Sequence, residues 1–272
     1  MNEYKYFELN IENKIAHLRI NRADKANSLN EEAWQELQSA LNYCDDTPEV
    51  RVIIFSGNGD KIFCGGIDVN MLFSINQRAN AKCEGRKREQ FKKILFDFQE
   101  IVSTFEKISK PVLSAVHGGC IGAGLDMIAA TDMRYCTSNA YFCIKEIDLG
   151  MVADIGTLQR LPKIIPDGLA RELAYTGRNL TATEALQAGL VNKVYANKTE
   201  MLEGVTEIAQ LIASKSPISV RGSKRNLVYS RDHTVTDSLE FMANWNAAHF
   251  FSNDLMAAFQ AKMSKSNPIF ED

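Results

Sequence analysis

Apolar and polar positions alternate twice near the start of the chain. Phe7, Leu9 and Ile11 form one period-two set and Ala16, Leu18 and Ile20 a second, with Glu12-Asn13-Lys14 between them. That pattern predicts a hairpin. The period then becomes helical over 30–43, where Trp34, Leu37 and Leu41 share a stripe and Asn30 is a candidate N-cap. Two short, mainly apolar runs, 51–57 and 111–116, read as buried strands. Between them, 75–93 is polar and basic (Arg78, Lys82, Arg86, Lys87, Arg88, Lys92, Lys93), and a helix follows through Ile94, Phe98, Ile101, Val102 and Phe105. A short helix over 125–130 and strand signals at 133–136 and 141–145 come next, and from Asp154 onward the chain reads mainly helical. Strands joined by helices predict an α/β core with parallel pairing. No repeat, low-complexity tract or Pro/Gly/Ser linker marks a boundary. The expected organisation is a core over 1–195 and a helical region over 196–272 that covers the core or builds an oligomer interface.

Composition narrows the function classes. The chain has 272 residues, with 31 Lys+Arg against 34 Asp+Glu, a formal charge of −3. That length buries a sizeable core without disulfides or metals as staples. Near-neutral charge argues against bulk nucleic-acid binding, which shows a basic excess. Single-strand binding also needs aromatic stacking, and the basic stretch 78–93 contains only Phe91. No apolar run approaches the ~18 residues of a spanning helix, so no membrane contact is expected. The opening MNEYKYFELN has neither the apolar stretch of a signal peptide nor the Arg-rich character of a transit peptide, and Phe270-Glu271-Asp272 is not a Ser-Lys-Leu address. The expectation is a cytoplasmic protein. Six cysteines without a CxxC pair read as reduced thiols in apolar surroundings.

Several chemistries fail on spacing. Gly122-Ala123-Gly124-Leu125-Asp126-Met127 lacks the last glycine of a dinucleotide fingerprint. There is no P-loop, no HExxH and no GxSxG, and the four histidines are scattered. Two glycine turns remain, Cys64-Gly65-Gly66-Ile67-Asp68 and His117-Gly118-Gly119-Cys120-Ile121-Gly122-Ala123-Gly124, each following a strand. Glycine permits conformations that aim N–H groups outward, and a helix start adds unpaired N–H groups. Facing each other, such turns make an oxyanion hole. Acids nearby suit proton transfer beside it.

These segments resemble the crotonase (enoyl-CoA hydratase/isomerase) superfamily, over nearly the whole chain from Arg19-Ile-Asn-Arg-Ala-Asp-Lys-Ala-Asn-Ser-Leu-Asn30 onward. Within it, 145–162, the run His117-Gly-Gly-Cys-Ile-Gly, Ser214-Lys-Ser-Pro and Tyr229-Ser-Arg-Asp-His233 look like the Δ3,5-Δ2,4-dienoyl-CoA isomerases. The resemblance implies a spiral of repeated ββα units with a helical C-terminal trimerisation region, and trimers that pair into hexamers. It implies oxyanion donors at the N–H groups of Ile67 and Ala123, where the family usually has glycine at the second. A hydratase resembling crotonase itself would carry glutamates at 126 and 146 and a small residue at 154. This chain has Asp126, Glu146 and Asp154, the acid triplet of the isomerases.

Moving two conjugated double bonds one carbon toward a thioester takes a proton off C2 and puts one on C6, work for two positioned carboxyl groups. By the resemblance, Glu146 serves C2 and Asp154 serves C6, while Asp126 adjusts their protonation. Taken singly, each acid also has a plain structural reading: Asp154 as a helix N-cap, Asp126 as a favoured first-turn acid, Glu146 as solvent-facing. Asp132 is expected to make a local ion pair or turn, and Asp148 is left structural. The resemblance further places coenzyme A near Lys25, Ala26 and Ser28, with Gly65, Asp68 and Met71 completing the binding set. Lys25 or the basic run 78–93 is a candidate phosphate contact. Acyl-CoA is then the substrate, and no cofactor or metal is implied. An enoyl-CoA hydratase is the alternative reading.

Overall fold

The computed structural model of the chain describes residues 4–79 and 81–272. The hairpin forms where the alternation predicts it. β1 (Phe7–Glu12) pairs antiparallel with β2 (Ile15–Ile20), with Phe7 opposite Ile20. α1 (Glu31–Asp46) follows, and the Asn30 side chain accepts from the Ala33 N–H at 2.9 Å, which satisfies one orphan donor of the first turn. Next come β3 (Val52–Gly57), β4 (Ile62–Cys64), α2 (Val69–Arg78) and α3 (Glu84–Lys107). β5 (Val112–Val116), β6 (Gly119–Ile121) and α4 (Ala123–Ala129) then repeat the strand–strand–helix order. β7 (Met133–Thr137) and β8 (Tyr141–Cys143) repeat it again. They lead into a 3-10 turn over Glu146–Leu149 and the short helices α5 (Thr157–Arg160) and α6 (Asp167–Thr176).

Each turn of this spiral leaves one strand in each of two sheets. With β9 (Leu180–Thr181), α7 (Ala182–Gln187) and β10 (Lys193–Tyr195) added, the large sheet has the order β1-β2-β3-β5-β7-β10 and the small one β4-β6-β8-β9. From β2 to β10 the large sheet is parallel. Both of its faces are covered, which is why β3 and β5 are apolar apart from Ser56 and Ser114. Ile53, Phe55, Val112 and Val116 point into the main core. Val52, Ile54, Leu113 and Ala115 point the other way, onto Met201, Val205, Ala209 and Ala213 of α8 (Lys198–Ala213). α9 (Pro217–Ser230), α10 (Val235–His249) and α11 (Asn253–Ser264) end the chain.

Three expectations need correction. α3 starts at Glu84, so the basic stretch is largely helical instead of preceding a helix. The mainly helical remainder holds two more strands, β9 and β10, too short to leave a period. Asp132 makes no local pair: its carboxylate receives the Val112 N–H at 2.7 Å and the buried Lys224 ammonium at 2.9 Å, a bond that docks α9 on the core. Five cysteines are buried and Cys83 is exposed. Among the described residues, no helix is long and apolar enough to cross a membrane.

Candidate active site

The two glycine turns meet where the sheets' strands end. Gly66 has φ +96°, and a side chain there would come 3.1 Å from the Ile121 carbonyl and 3.7 Å from the Ala123 nitrogen. Gly122 has φ +52° and lies against Glu146, whose Oε1 a Cβ would meet at 3.0 Å. Glycine is required at both, for its backbone freedom and for the close approach. Its own N–H bonds the Cys143 carbonyl at 2.9 Å, tying the second turn to β8. Among the described residues, the N–H groups of Ile67 and Ala123 donate to no protein acceptor. Ala123 opens α4, where unbonded N–H groups are the rule. Both residues line one cavity of about 470 Å³.

That cavity is largely apolar. Trp34, Leu72, Ile75, Phe91, Leu95 and Phe98 line it, and α3 presents Glu84, Lys87 and Arg88 on the same stripe as Phe91 and Leu95. The basic run, a candidate phosphate contact, therefore partly borders the cavity. Glu146 and Asp154 line it too. Glu146 is half-buried at the start of its 3-10 turn, and its Oε2 is buried with no partner. Asp154 stays open to solvent and is not a helix N-cap, because Gly156 holds that position for α5. Asp126 sits behind them, fully buried in α4. One of its oxygens accepts the Thr157 N–H at 2.5 Å and the other has no partner.

Among the described residues no cation pairs with these three acids, and their carboxyls shift accordingly. Burial, reinforced by the charge of Glu146, pushes Asp126 up to about 7. Burial also raises Glu146, with Asp154 adding to it. Asp154 is raised as well, by the partial desolvation that its protein-facing side undergoes although the residue stays exposed. Like charges in an apolar site thus let one acid hold a proton that another lacks. Chemically, this is a proton donor–acceptor set facing free backbone donors across an apolar slot.

The residues expected to take coenzyme A gather beside the cavity but do not line it. The Gly65 N–H bonds the Ala26 carbonyl at 2.8 Å, and the N–H groups of Leu29 and Asp68 bond Gly66 and Leu29 carbonyls at 2.9 Å. These bonds join the 25–29 loop to the first glycine turn. Lys25 is exposed. Asp68 caps α2, accepting from the Asn70 N–H at 3.0 Å, and pairs with Arg22 at 2.8 Å. The Arg22 hydrogen bond holds its carboxyl below the usual range. Met71 is packed in the core at 4% exposure, and its neighbour Leu72 faces the cavity instead.

Arg22 is the residue that sequence reasoning missed. It also donates to the Ser28 carbonyl at 2.8 Å and its hydroxyl at 3.3 Å. Buried Asn27 completes this clamp, with its amide bonded to the Asn58 and Ile62 carbonyls at 2.8 and 3.0 Å. The only signal was that both lie inside the motif at 19–30.

A spiral of two sheets with this double glycine turn defines a family, and comparison with known proteins agrees. The model of the family described as Enoyl-CoA hydratase/isomerase matches residues 10–272, and the chain belongs to that family. It is 44% identical to the peroxisomal Delta(3,5)-Delta(2,4)-dienoyl-CoA isomerase of Arabidopsis thaliana, covering 99% of this chain and 98% of that one. It is 41% identical to the mitochondrial enzyme of that name from Mus musculus, covering 92% and 77%. The short-chain-enoyl-CoA hydratase of Clostridium acetobutylicum is 32% identical, with 93% of each chain covered. Among solved structures, an enoyl-CoA hydratase from Bacillus anthracis superimposes with a TM-score of 0.88 at 29% identity, covering 98% and 99%. The expected crotonase-like α/β spiral is therefore the fold. The expected cytoplasmic location is overturned, because these similar isomerases are peroxisomal and mitochondrial by name.

Proposed function

We propose that the chain is a Δ3,5-Δ2,4-dienoyl-CoA isomerase of fatty-acid β-oxidation. One observation carries this reading: an apolar cavity bordered by two carboxyl groups of raised pKa, Glu146 and Asp154, and by the free N–H groups of Ile67 and Ala123. The likeness to the Arabidopsis and mouse isomerases supports it.

The thioester oxygen of the acyl-CoA takes the two backbone donors. Glu146, ionised, removes a proton from C2, and the electron pair delocalises over the dienolate to the thioester oxygen. One such donor contributes ~3 kcal/mol of transition-state stabilisation. Asp154, protonated, delivers its proton to C6. Asp126 keeps the pair from sharing one charge state, through the repulsion already described. Coenzyme A lies along the 25–29 loop and Gly65, with Lys25, Lys87 and Arg88 as cations for its phosphates. Asp68 shapes that loop through Arg22, and Met71 supports it from the core. Residues 1–195 hold the site. The helical stretch 196–272 offers the surface for trimers and hexamers: α10 buries none of its residues, and Leu239, Phe250, Phe251 and Phe259 are all more than half exposed.

Purified protein given a 3,5-dienoyl-CoA is expected to raise the absorbance of the conjugated 2,4-dienoyl product. No gain, together with brisk hydration of a 2-enoyl-CoA, would replace this reading with the hydratase one.

A further inference from the structure

Asp154 borders a second cavity that the chemistry above does not use. It adjoins the acyl cavity, here taken as the front one, has a volume of about 420 Å³, and has Asp154 and Ile155 as its shared lining. Its character is opposite. Gln99, Ser103, Arg160, Lys163, Arg231 and Asp232 supply its walls. Their three cations share two acids. Arg160 pairs with Glu106 at 2.7 Å and bonds the Ser103 hydroxyl at 3.0 Å. Arg231 also pairs with Glu106, and Lys163 with Asp232. Each of these charges is held by a protein partner, and among the described residues the one carboxyl of the wall left without a cation is Asp154 itself. The cavity is polar and roomy, which is what water requires at about 30 Å³ a molecule. Gln99 fixes the junction by donating to the Asp154 carbonyl at 2.7 Å. Glu146 borders only the apolar cavity, with one oxygen buried, and Asp126 is fully enclosed.

We propose that this rear cavity is a proton port: Asp154 exchanges its proton with water through it while the acyl-CoA fills the front cavity. Glu146 has no such route. The inference rests on the isomerase reading and deepens it by separating the two acids. The balance closes. The C2–H bond breaks and its proton goes to Glu146, the Asp154 O–H breaks and its proton forms the new C6–H bond, and water in the rear cavity reprotonates Asp154. Glu146 returns its proton to water once the product has left the front.

The test uses the half-reaction in reverse. Glu146→Gln cannot return a proton to C2. With 2,4-dienoyl-CoA in heavy water it should still let Asp154 take a C6 proton, exchange it and return deuterium. Because the dienolate must be reprotonated before release, label enters C6 only if Asp154 exchanges while the ligand is bound. The expected result by mass spectrometry and NMR is one deuterium at C6 and no 3,5-diene. Gln159→Trp, which fills the rear cavity from its wall, should slow labelling at least tenfold in this background. Absence of C6 label in Glu146→Gln, when circular dichroism shows a native fold, overturns the proposal. So does a labelling rate that Gln159→Trp leaves unchanged in the Glu146→Gln background. Unaltered enzyme that yields no 2,4-diene from a 3,5-dienoyl-CoA would instead remove the isomerase reading itself.

Discussion

Asp126 and Asp132 bracket the end of α4, and their surroundings are opposite. Asp132 receives a backbone N–H and the Lys224 ammonium, and that ammonium also bonds the Phe105 and Lys110 carbonyls at 2.8 and 2.9 Å. Every donor of a buried cation is used. Asp126 has one backbone N–H, an oxygen without a partner, and two further acids as neighbours. Buried charge is costly unless it is matched. The chain matches it where α9 must dock, and leaves it short where a proton must move. A carboxyl that lacks a cation keeps its proton to higher pH, and that makes a general acid available near neutrality.

The contrast is tested most strongly at the unmatched end. Glu146→Gln and Asp154→Asn are each expected to lower isomerase turnover by about 10²–10⁴-fold, with unfolding midpoints unchanged or raised, since neither substitution breaks an ion pair. Near-native diene formation by either variant would take that residue out of the mechanism.

At the matched end the effect should fall on stability. Lys224→Met leaves the Asp132 carboxylate and two buried carbonyls short of a donor. Urea unfolding is expected to show a loss of about 3–5 kcal/mol, while turnover per folded molecule holds. A loss below 1 kcal/mol would mean that α9 docks by packing alone.

Acid stability separates the two aspartates next. Burial lifts Asp126 from 3.8 to about 7, so between those values the native state holds a proton that the unfolded chain has lost. Its contribution is complete below pH about 4 and is lost as pH rises to about 7, with an upper figure of about 4 kcal/mol. Asp126→Asn keeps the Thr157 acceptor but cannot titrate. The difference in Tm between the original chain and this variant should therefore shift steadily against the original over that range. Parallel Tm curves would show that Asp126 is ionised throughout.

What was legible in the sequence follows the same line. Elements with a long apolar period were readable: the hairpin, α1 with its Asn30 cap, and the doubly buried β3 and β5. That Glu146, Asp154 and Asp126 lie near one another was legible too, but only through the motif around them, since each had a plausible structural use. Bonds between distant residues left no trace. Lys224 reaches Asp132 across 92 positions, and nothing local marks either. The start of α3 was hidden because its stripe of Glu84, Lys87, Arg88 and Phe91 faces a cavity instead of the core. Met71, expected in the coenzyme A set, packs in the core, and its neighbour Leu72 faces the cavity. One position turns a side chain by about 100° on a helix, and only the packing of α2 decides which faces in.

The smallest expected effect concerns the donors opposite these acids. At 123 the family usually has glycine and this chain has alanine, at the first residue of α4. If stabilisation of the thioester oxygen comes from the backbone N–H, the side chain there is incidental. Ala123→Gly retains the donor, so kcat should stay within about twofold. Loss of the methyl group costs at most ~1 kcal/mol in helix propensity, and less at a helix start, where Gly122 already sets the backbone. A tenfold fall in kcat with unchanged Tm would show that the alanine methyl, which borders the acyl cavity, presses the substrate onto the donors. The site would then depend on packing at this wall as much as on its hydrogen bonds.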